Sequence, residues 1–247
     1  MLKIAVVTPY HRESDSILRQ CHDSVLAQTH ECHHILVADG HSKEFLFAAS
    51  PRTMHIALPL ENGDNGNTPR AIGGILADRY GFDAVAYLDA DNWYDEHHIA
   101  AMVAGHEHSG YPLVACKRSF RDLDGTLLPV TEGEEERHRH VDTSCWMLFR
   151  PAFALLDAWL MPKPFSPVCD RIFFHAVLHA GLPITGASCR TVNFRTRYAL
   201  HYEAAGRPVP AGAKLIGGSV SAANAYLASE AGAAAFKAAL GFSLAEL

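Results

Sequence analysis

None of the six cysteines forms a C-x-x-C pair, and the sequence contains neither H-E-x-x-H nor a Cys/His finger spacing. The common dithiol and zinc motifs are therefore absent. Cys21, Cys32, Cys116, Cys145, Cys169 and Cys189 read as reduced structural thiols, several of them in apolar segments where a thiol acts as a small hydrophobe. No run approaches the roughly 20 continuous apolar residues of a membrane span. The opening Met1-Leu2-Lys3-Ile4-Ala5-Val6-Val7 is too short for a secretory signal and reads as a first strand, so the expected location is the cytoplasm. Positive charge is not in excess either. The formal net charge is −6, which argues against nucleic acid or an anionic membrane as the main partner. There is no internal repeat. The sixteen histidines tempt a metal reading, but His97-His98, His106-Glu107-His108 and His138/His140 read as solvated faces.

What is present is alternation. Ile4 to Thr8, His34 to Ala38, Met54 to Leu58 and Ala84 to Leu88 are short apolar runs bounded by turn residues, and they read as strands. Between them lie helical patterns. Ser14 or Asp15 caps a first helix carrying Ile17, Leu18, Cys21, Val25 and Leu26. Thr68-Pro69 reads as a second helix start, with Ile72, Ile75 and Leu76 as its apolar face. A third begins near Asp95, with Ile99, Met102 and Val103 inward. This β-α-β-α order predicts an α/β fold, a mostly parallel Rossmann-like sheet with helices on both faces.

The second half is less regular. Pro112 to Cys116 and Ser144 to Phe149 are strand candidates, and the polar stretch Asp122 to His140 reads as a solvated connection or a lid. Asp170 to Ala180 reads as a helix stopped by Gly181, and Ser219 to Leu240 as an Ala-rich helical segment. At 247 residues the chain fits one large domain with a C-terminal helical appendage.

The most informative feature is Asp89-Ala90-Asp91, at the end of the run Ala84-Val85-Ala86-Tyr87-Leu88. Open α/β sheets bind ligands at the carboxyl ends of their strands. Two carboxylates so close repel one another unless a cation lies near. A Mg²⁺ or Mn²⁺ ion holding phosphates answers that need, although the same residues also suit a turn that caps the next helix.

The ordered motifs resemble those of family 2 glycosyltransferases with the GT-A fold. Val6-Val7-Thr8-Pro9-Tyr10-His11-Arg12 resembles the family's opening strand and loop, and Ser24-Val25-Leu26-Ala27-Gln28-Thr29 the helix end that follows. Ile35 to Ser42 resembles the second strand, which usually ends Asp-Asp-Gly-Ser; here Gly40 and His41 replace the second Asp and the Gly. Thr68-Pro69-Arg70-Ala71-Ile72-Gly73 resembles the Ala-Arg-Asn-x-x-Gly helix start, with Ala71 where Asn is usual, and Asp89-Ala90-Asp91 stands as the D-x-D motif. The likeness covers the first 110 residues well and the region to 205 loosely. It implies a nucleotide-sugar-binding half at 1–110, an acceptor half at 111–205 and a helical extension at 206–247.

The resemblance implies a metal-dependent inverting transferase that moves a sugar from a nucleotide sugar, a UDP-sugar first, to an acceptor hydroxyl. Asp91 then binds Mn²⁺ or Mg²⁺, with His201 as a further ligand, and Asp89 contacts the ribose or metal-bound water. Asp39 accepts a hydrogen bond from the uracil imide. Thr8, Pro9, Tyr10, Arg12 and Ala90 join the donor pocket, and Arg70 orients the Asp or the diphosphate. Arg195 and Arg197 meet the diphosphate if their loop closes. Asp170, loosely matched in Ser166-Pro167-Val168-Cys169-Asp170-Arg171, is the catalytic base, with Asp142 its rival. Trp146 and Trp159 suit sugar packing or the core, the core being the simpler role. A nucleotidyltransferase is the second reading, disfavoured because Thr8-Pro9-Tyr10-His11-Arg12 has no glycine. A non-catalytic nucleotide-sugar-binding protein is the third.

Overall fold

The computed structural model describes residues 2–46, 50–130, 141–215 and 217–244. A seven-stranded sheet runs in the order β3-β2-β1-β4-β8-β6-β9. Its members are β1 (Ile4–Tyr10), β2 (Cys32–Asp39), β3 (Thr53–Leu58), β4 (Ala84–Tyr87), β6 (Leu113–Ala115), β8 (Trp146–Phe149) and β9 (Ile184–Gly186). The pairs β1–β2, β2–β3, β1–β4 and β6–β9 are parallel. Only β8 runs against its neighbours, β4 on one side and β6 on the other. A small second sheet, β5-β10-β7, is formed by β5 (Trp93–Tyr94), β7 (Arg118–Arg121) and β10 (Val192–Arg195).

Alternation along β1 feeds two cores. Ala5 and Val7 join a cluster with Ile35, Val37, Val85, Tyr87, Trp146 and Leu148. Ile4 and Val6 join the opposite one, with Cys21, Val25, Ile99 and Met102. The first helix, α1 (Asp15–Leu26), is capped by Ser14, whose side chain accepts from the Ile17 N–H. It buries Leu18, Cys21, His22 and Val25, and Cys21 and Val25 share a cluster with Ile99 and Met102 of α3 (His98–Ser109).

The second helix, α2 (Asn67–Arg79), corrects two expectations. Its cap residue is Gly66, in the left-handed region at φ 79°, and Asp64 rather than Thr68 supplies the capping oxygen. Asp64 Oδ2 accepts from the Thr68 N–H at 2.9 Å and the Thr68 hydroxyl at 2.6 Å. Its buried face is Ala71, Gly73, Gly74 and Ala77, and Ile75 faces solvent. The reason is distance: a Cβ on Gly73 would lie 2.4 Å from Val7 Cγ1, so only small residues let this helix lie against β1.

The fourth helix, α4 (Cys169–His179), follows the 3₁₀ segment Lys163–Val168, and α5 (Ala199–Ala204) follows β10. The Ala-rich end is two helices, α6 (Gly218–Leu227) and α7 (Glu230–Leu240). They are separated because Ser229 caps α7 by accepting from the Gly232 N–H at 3.1 Å. Ala223, Phe236 and Phe242 pack into the core that holds Trp159 and Phe165. In the stretch read as a solvated connection, Leu128 is buried beside Phe120 and Tyr202. The acidic Glu132 to Glu136 and basic Arg137 to His140 runs lie outside the described residues. All six cysteines are free thiols. Among the described residues no helix is long and apolar enough to cross a membrane.

Candidate active site

The carboxyl ends of β1, β2, β3 and β4 lie along one edge of the sheet, where the parallel register of neighbouring strands brings their following loops together. Asp89 sits two residues past β4, in a loop fixed from below. Ser144 Oγ accepts from the Asp89 N–H and from Asn92 Nδ2, both at 3.1 Å. Asn92 Oδ1 in turn accepts from the Arg195 N–H at 3.0 Å.

The two carboxylates of the D-x-D sequence have different surroundings. Asp89 Oδ1 receives Arg70 Nη2 at 2.8 Å. Arg70 is almost wholly buried, stacks 4.7 Å from the Trp159 ring centre, and also donates to Asn67 Oδ1 at 3.0 Å. Burial pushes the Asp89 carboxyl up, and the Arg70 charge pulls it back. Asp91 has no ion pair with a described residue. Burial first, and then the charge of Asp89, push its pKa up to about 6, against a smaller pull from Arg197. A carboxylate held in such a place is one whose charge a nearby cation would relieve.

Asp39 ends β2, nearly buried. Its Oδ1 accepts from the Asn62 N–H at 2.9 Å and Asn62 Nδ2 at 2.7 Å, and its Oδ2 from the Gly63 N–H at 3.2 Å. It thereby orders the loop between β3 and α2. Lys163 Nζ donates to the Asn62 carbonyl at 2.9 Å, and Asn65 Nδ2 to Ser166 Oγ at 3.1 Å, so the same loop is tied to the segment that leads into Asp170.

Other candidates are placed less simply. The Thr8 hydroxyl lies in the core, 2.8 Å from His34 Nε2. The Tyr10 hydroxyl sits between His55 Nε2 at 2.6 Å and the Lys43 N–H at 2.9 Å. Ala90 packs with Tyr10, Leu18 and Leu36. Backbone groups are what these three leave for a ligand. Pro9 lies against Gly66, where a Cβ would come within 3.0 Å of the Pro9 ring. Arg12 is exposed and pairs with Glu61 at 3.2 Å.

Asp170 lies in the first turn of α4, with Oδ1 accepting from the Arg171 N–H at 2.8 Å. Asp142 pairs with Arg118 and caps the short turn Thr143–Cys145 through the Ser144 N–H at 3.0 Å. His201 is buried among Phe120, Phe194 and Tyr198, and its Nδ1 is 2.6 Å from the Thr196 hydroxyl. Burial and the charge of Arg118 hold its pKa down to about 4, so it is a neutral imidazole at pH 7. Trp146 and Trp159 are fully buried core residues.

Two features are invisible in the sequence pattern. Tyr198, near the start of α5, gathers the fields of Asp170, Asp142, Asp89 and Asp91, which together with burial push its hydroxyl up. Carboxylates from three segments of the chain thus act on one phenol. Arg195 is nearly buried and committed to the Asp91 carbonyl at 3.2 Å, to Gln20 and to the Leu123 carbonyl. It walls a cavity of about 360 Å³ with Arg197, Ile17, Leu123 and Pro210.

No family model matches the chain. The succinoglycan biosynthesis protein ExoW of Rhizobium meliloti (strain 1021) is 33% identical over 109 residues, 41% of this chain and 33% of that protein. The chain thus spans about a third of the length of the curated relative it matches. The crystal structure of S. aureus TarS shares the fold with a TM-score of 0.61 and 14% identity, over 82% of this chain and 38% of TarS. TarS 1-349 in complex with UDP gives 0.61 and 14%, over 98% of this chain and 73% of that one. The complex of TarS 1-349 with UDP-GlcNAc gives 0.62 and 14%, over 82% and 61%. The TarS structures thus share this chain's fold, and the ExoW match is confined to 109 residues. The α/β architecture expected from the sequence is borne out.

Proposed function

We propose that this chain is a metal-dependent, inverting glycosyltransferase that moves a sugar from a nucleotide diphosphate sugar to an acceptor hydroxyl. The observation that carries the reading is the division within Asp89-Ala90-Asp91. One carboxylate is neutralised by buried Arg70, and the other is pushed up to about 6 with no ion pair among the described residues. Asp91, with His201 as the further candidate, would hold Mn²⁺ or Mg²⁺. When bound, such an ion offsets charge on the departing diphosphate.

The chain's own groups supply the rest. Asp39 accepts the imide N–H of a uracil, a role that suits its acceptor-only carboxylate. Backbone groups of Thr8, Pro9 and Tyr10 flank the base, and Arg70 keeps Asp89 aimed at the ribose side. Arg197 lends positive potential beside Asp91. Asp170 takes the proton of the acceptor hydroxyl as that oxygen attacks the anomeric carbon. Attack and departure on opposite sides of the sugar invert the anomeric centre, through a transition state with oxocarbenium character. The UDP and UDP-GlcNAc complexes of TarS favour a UDP-sugar as the first donor to test.

The test is a thermal-shift panel of nucleotide sugars, each with Mn²⁺, Mg²⁺ or EDTA. A rise in Tm that requires both a metal and one nucleotide supports the reading. No rise with any pair contradicts it. Asp170→Asn should keep donor binding and lose transfer; loss of binding instead would assign Asp170 to the donor side.

A further inference from the structure

One cluster along the same sheet edge gathers three metal-ligating side chains. We propose that His11, His41 and Glu61 form a zinc site that joins the loops after β1, β2 and β3. This proposal does not depend on the donor-site reading. Among the described residues, these are the three metal-ligating side chains whose ligand atoms all lie within 4.8 Å of one another.

The Glu61 carboxylate lies between the two imidazoles. His11 Nε2 is 3.1 Å from Glu61 Oε1, and His41 Nε2 is 3.4 Å from Glu61 Oε2. The three ligand atoms all lie within 4.8 Å of one another, close enough for one small cation to gather them with minor side-chain adjustment. The imidazoles meet edge to face with ring centres 4.6 Å apart. Two imidazoles and one carboxylate favour zinc over magnesium, and three protein ligands leave a fourth position for water or an anionic oxygen.

The hydrogen-bond pattern shows why a cation belongs there. Arg12 Nε donates to His41 Nε2 at 3.0 Å, so that nitrogen presents a lone pair. Its approach to a Glu61 oxygen is therefore acceptor against acceptor. His11 Nε2 is buried and lies 3.1 Å from Glu61 Oε1. The Arg12 guanidinium bridges His41 and Glu61 from the solvent side, its side chain 65% exposed. Zinc would replace that single bridging cation and engage His11 as well.

The backbone is arranged for the same contact. Gly40 has φ 79°, and a Cβ there would lie 2.9 Å from the Glu61 nitrogen. Glycine at this position lets Glu61 come up beside His41. The two departures at the end of β2, Gly40 and His41, are thus parts of one local construction.

The experiment uses the full chain after EDTA stripping, titrated calorimetrically with ZnCl₂. The Asp91→Asn background keeps the other carboxylate site from contributing. One zinc should bind, and Co²⁺ in its place should give the intense visible absorption of a tetrahedral centre. His41→Ala and Glu61→Gln should each weaken zinc by more than about tenfold. Arg12→Ala should tighten it severalfold, because a competing cation is removed. That variant deletes an exposed side chain and guards against loss of fold in the others. Absence of zinc binding, affinity unchanged in His41→Ala and Glu61→Gln, or weaker binding in Arg12→Ala would each overturn the site.

Discussion

Asp91 is costly to the fold as it stands. Its pKa is raised to about 6 in the folded chain, by burial and by Asp89, so its charged form is penalised relative to the unfolded chain. The penalty grows as pH rises through the unfolded and then the folded pKa, and it is full at pH 7. Asp91→Asn should therefore raise the stability of the metal-free protein, by on the order of 1–3 kcal/mol at pH 7, read as a higher Tm in EDTA. A lower Tm would mean that the carboxylate makes stabilising contacts. The positions of Asp39, Arg70, Asp89 and Asp91, after a strand or at a helix start, are legible in the sequence because the apolar runs before the three acids and Thr68-Pro69 before Arg70 mark those element ends. Those of Tyr198 and Ser144 are not. Nothing in Arg195-Thr196-Arg197-Tyr198 says that carboxylates of three other segments act on the Tyr198 hydroxyl, and Ser144 acts on the Asp89 loop from 55 residues away.

The close contact of α2 with β1 decides where Arg70 reaches. Gly73 lies with its Cα against Val7, and Arg70, one turn earlier, then points at Asp89 from beneath. Gly73→Ala should destabilise the chain by about 1–3 kcal/mol through overpacking, measured as a lower denaturant midpoint. If the midpoint instead rises, helix propensity outweighs the clash. This element also shows where periodicity misleads. Ile72, Ile75 and Leu76 look like a buried stripe, yet the sheet admits only the small residues beside them. By contrast β1, α1 and α3 follow their patterns, because ordinary spacing lets large apolar residues face inward. The reversed direction of β8 is set by pairing with β4 and β6, which strand composition does not encode.

Across the whole molecule, buried neutral histidines set an acid limit on stability. His22 and His34 face each other with Nδ1 atoms 2.8 Å apart, and burial holds both pKa values below the ordinary 6.5. His201 is held down to about 4. Their contribution is fully present above pH 6.5 and is lost as pH falls through the folded values, the part from His201 between 6.5 and about 4. Urea midpoints should fall over that range, and His34→Gln should flatten the slope. A midpoint independent of pH from 7 to 4 would contradict the neutral, buried state of these rings.

The most direct measurement of the proposed activity is calorimetric titration of UDP into the chain and its Asp91→Asn variant, each with Mn²⁺ and with EDTA. The wild-type chain should bind UDP more tightly with Mn²⁺, and the variant should show no such gain. Equal Mn²⁺-dependent affinity in the two proteins would contradict the assignment of Asp91 to the metal.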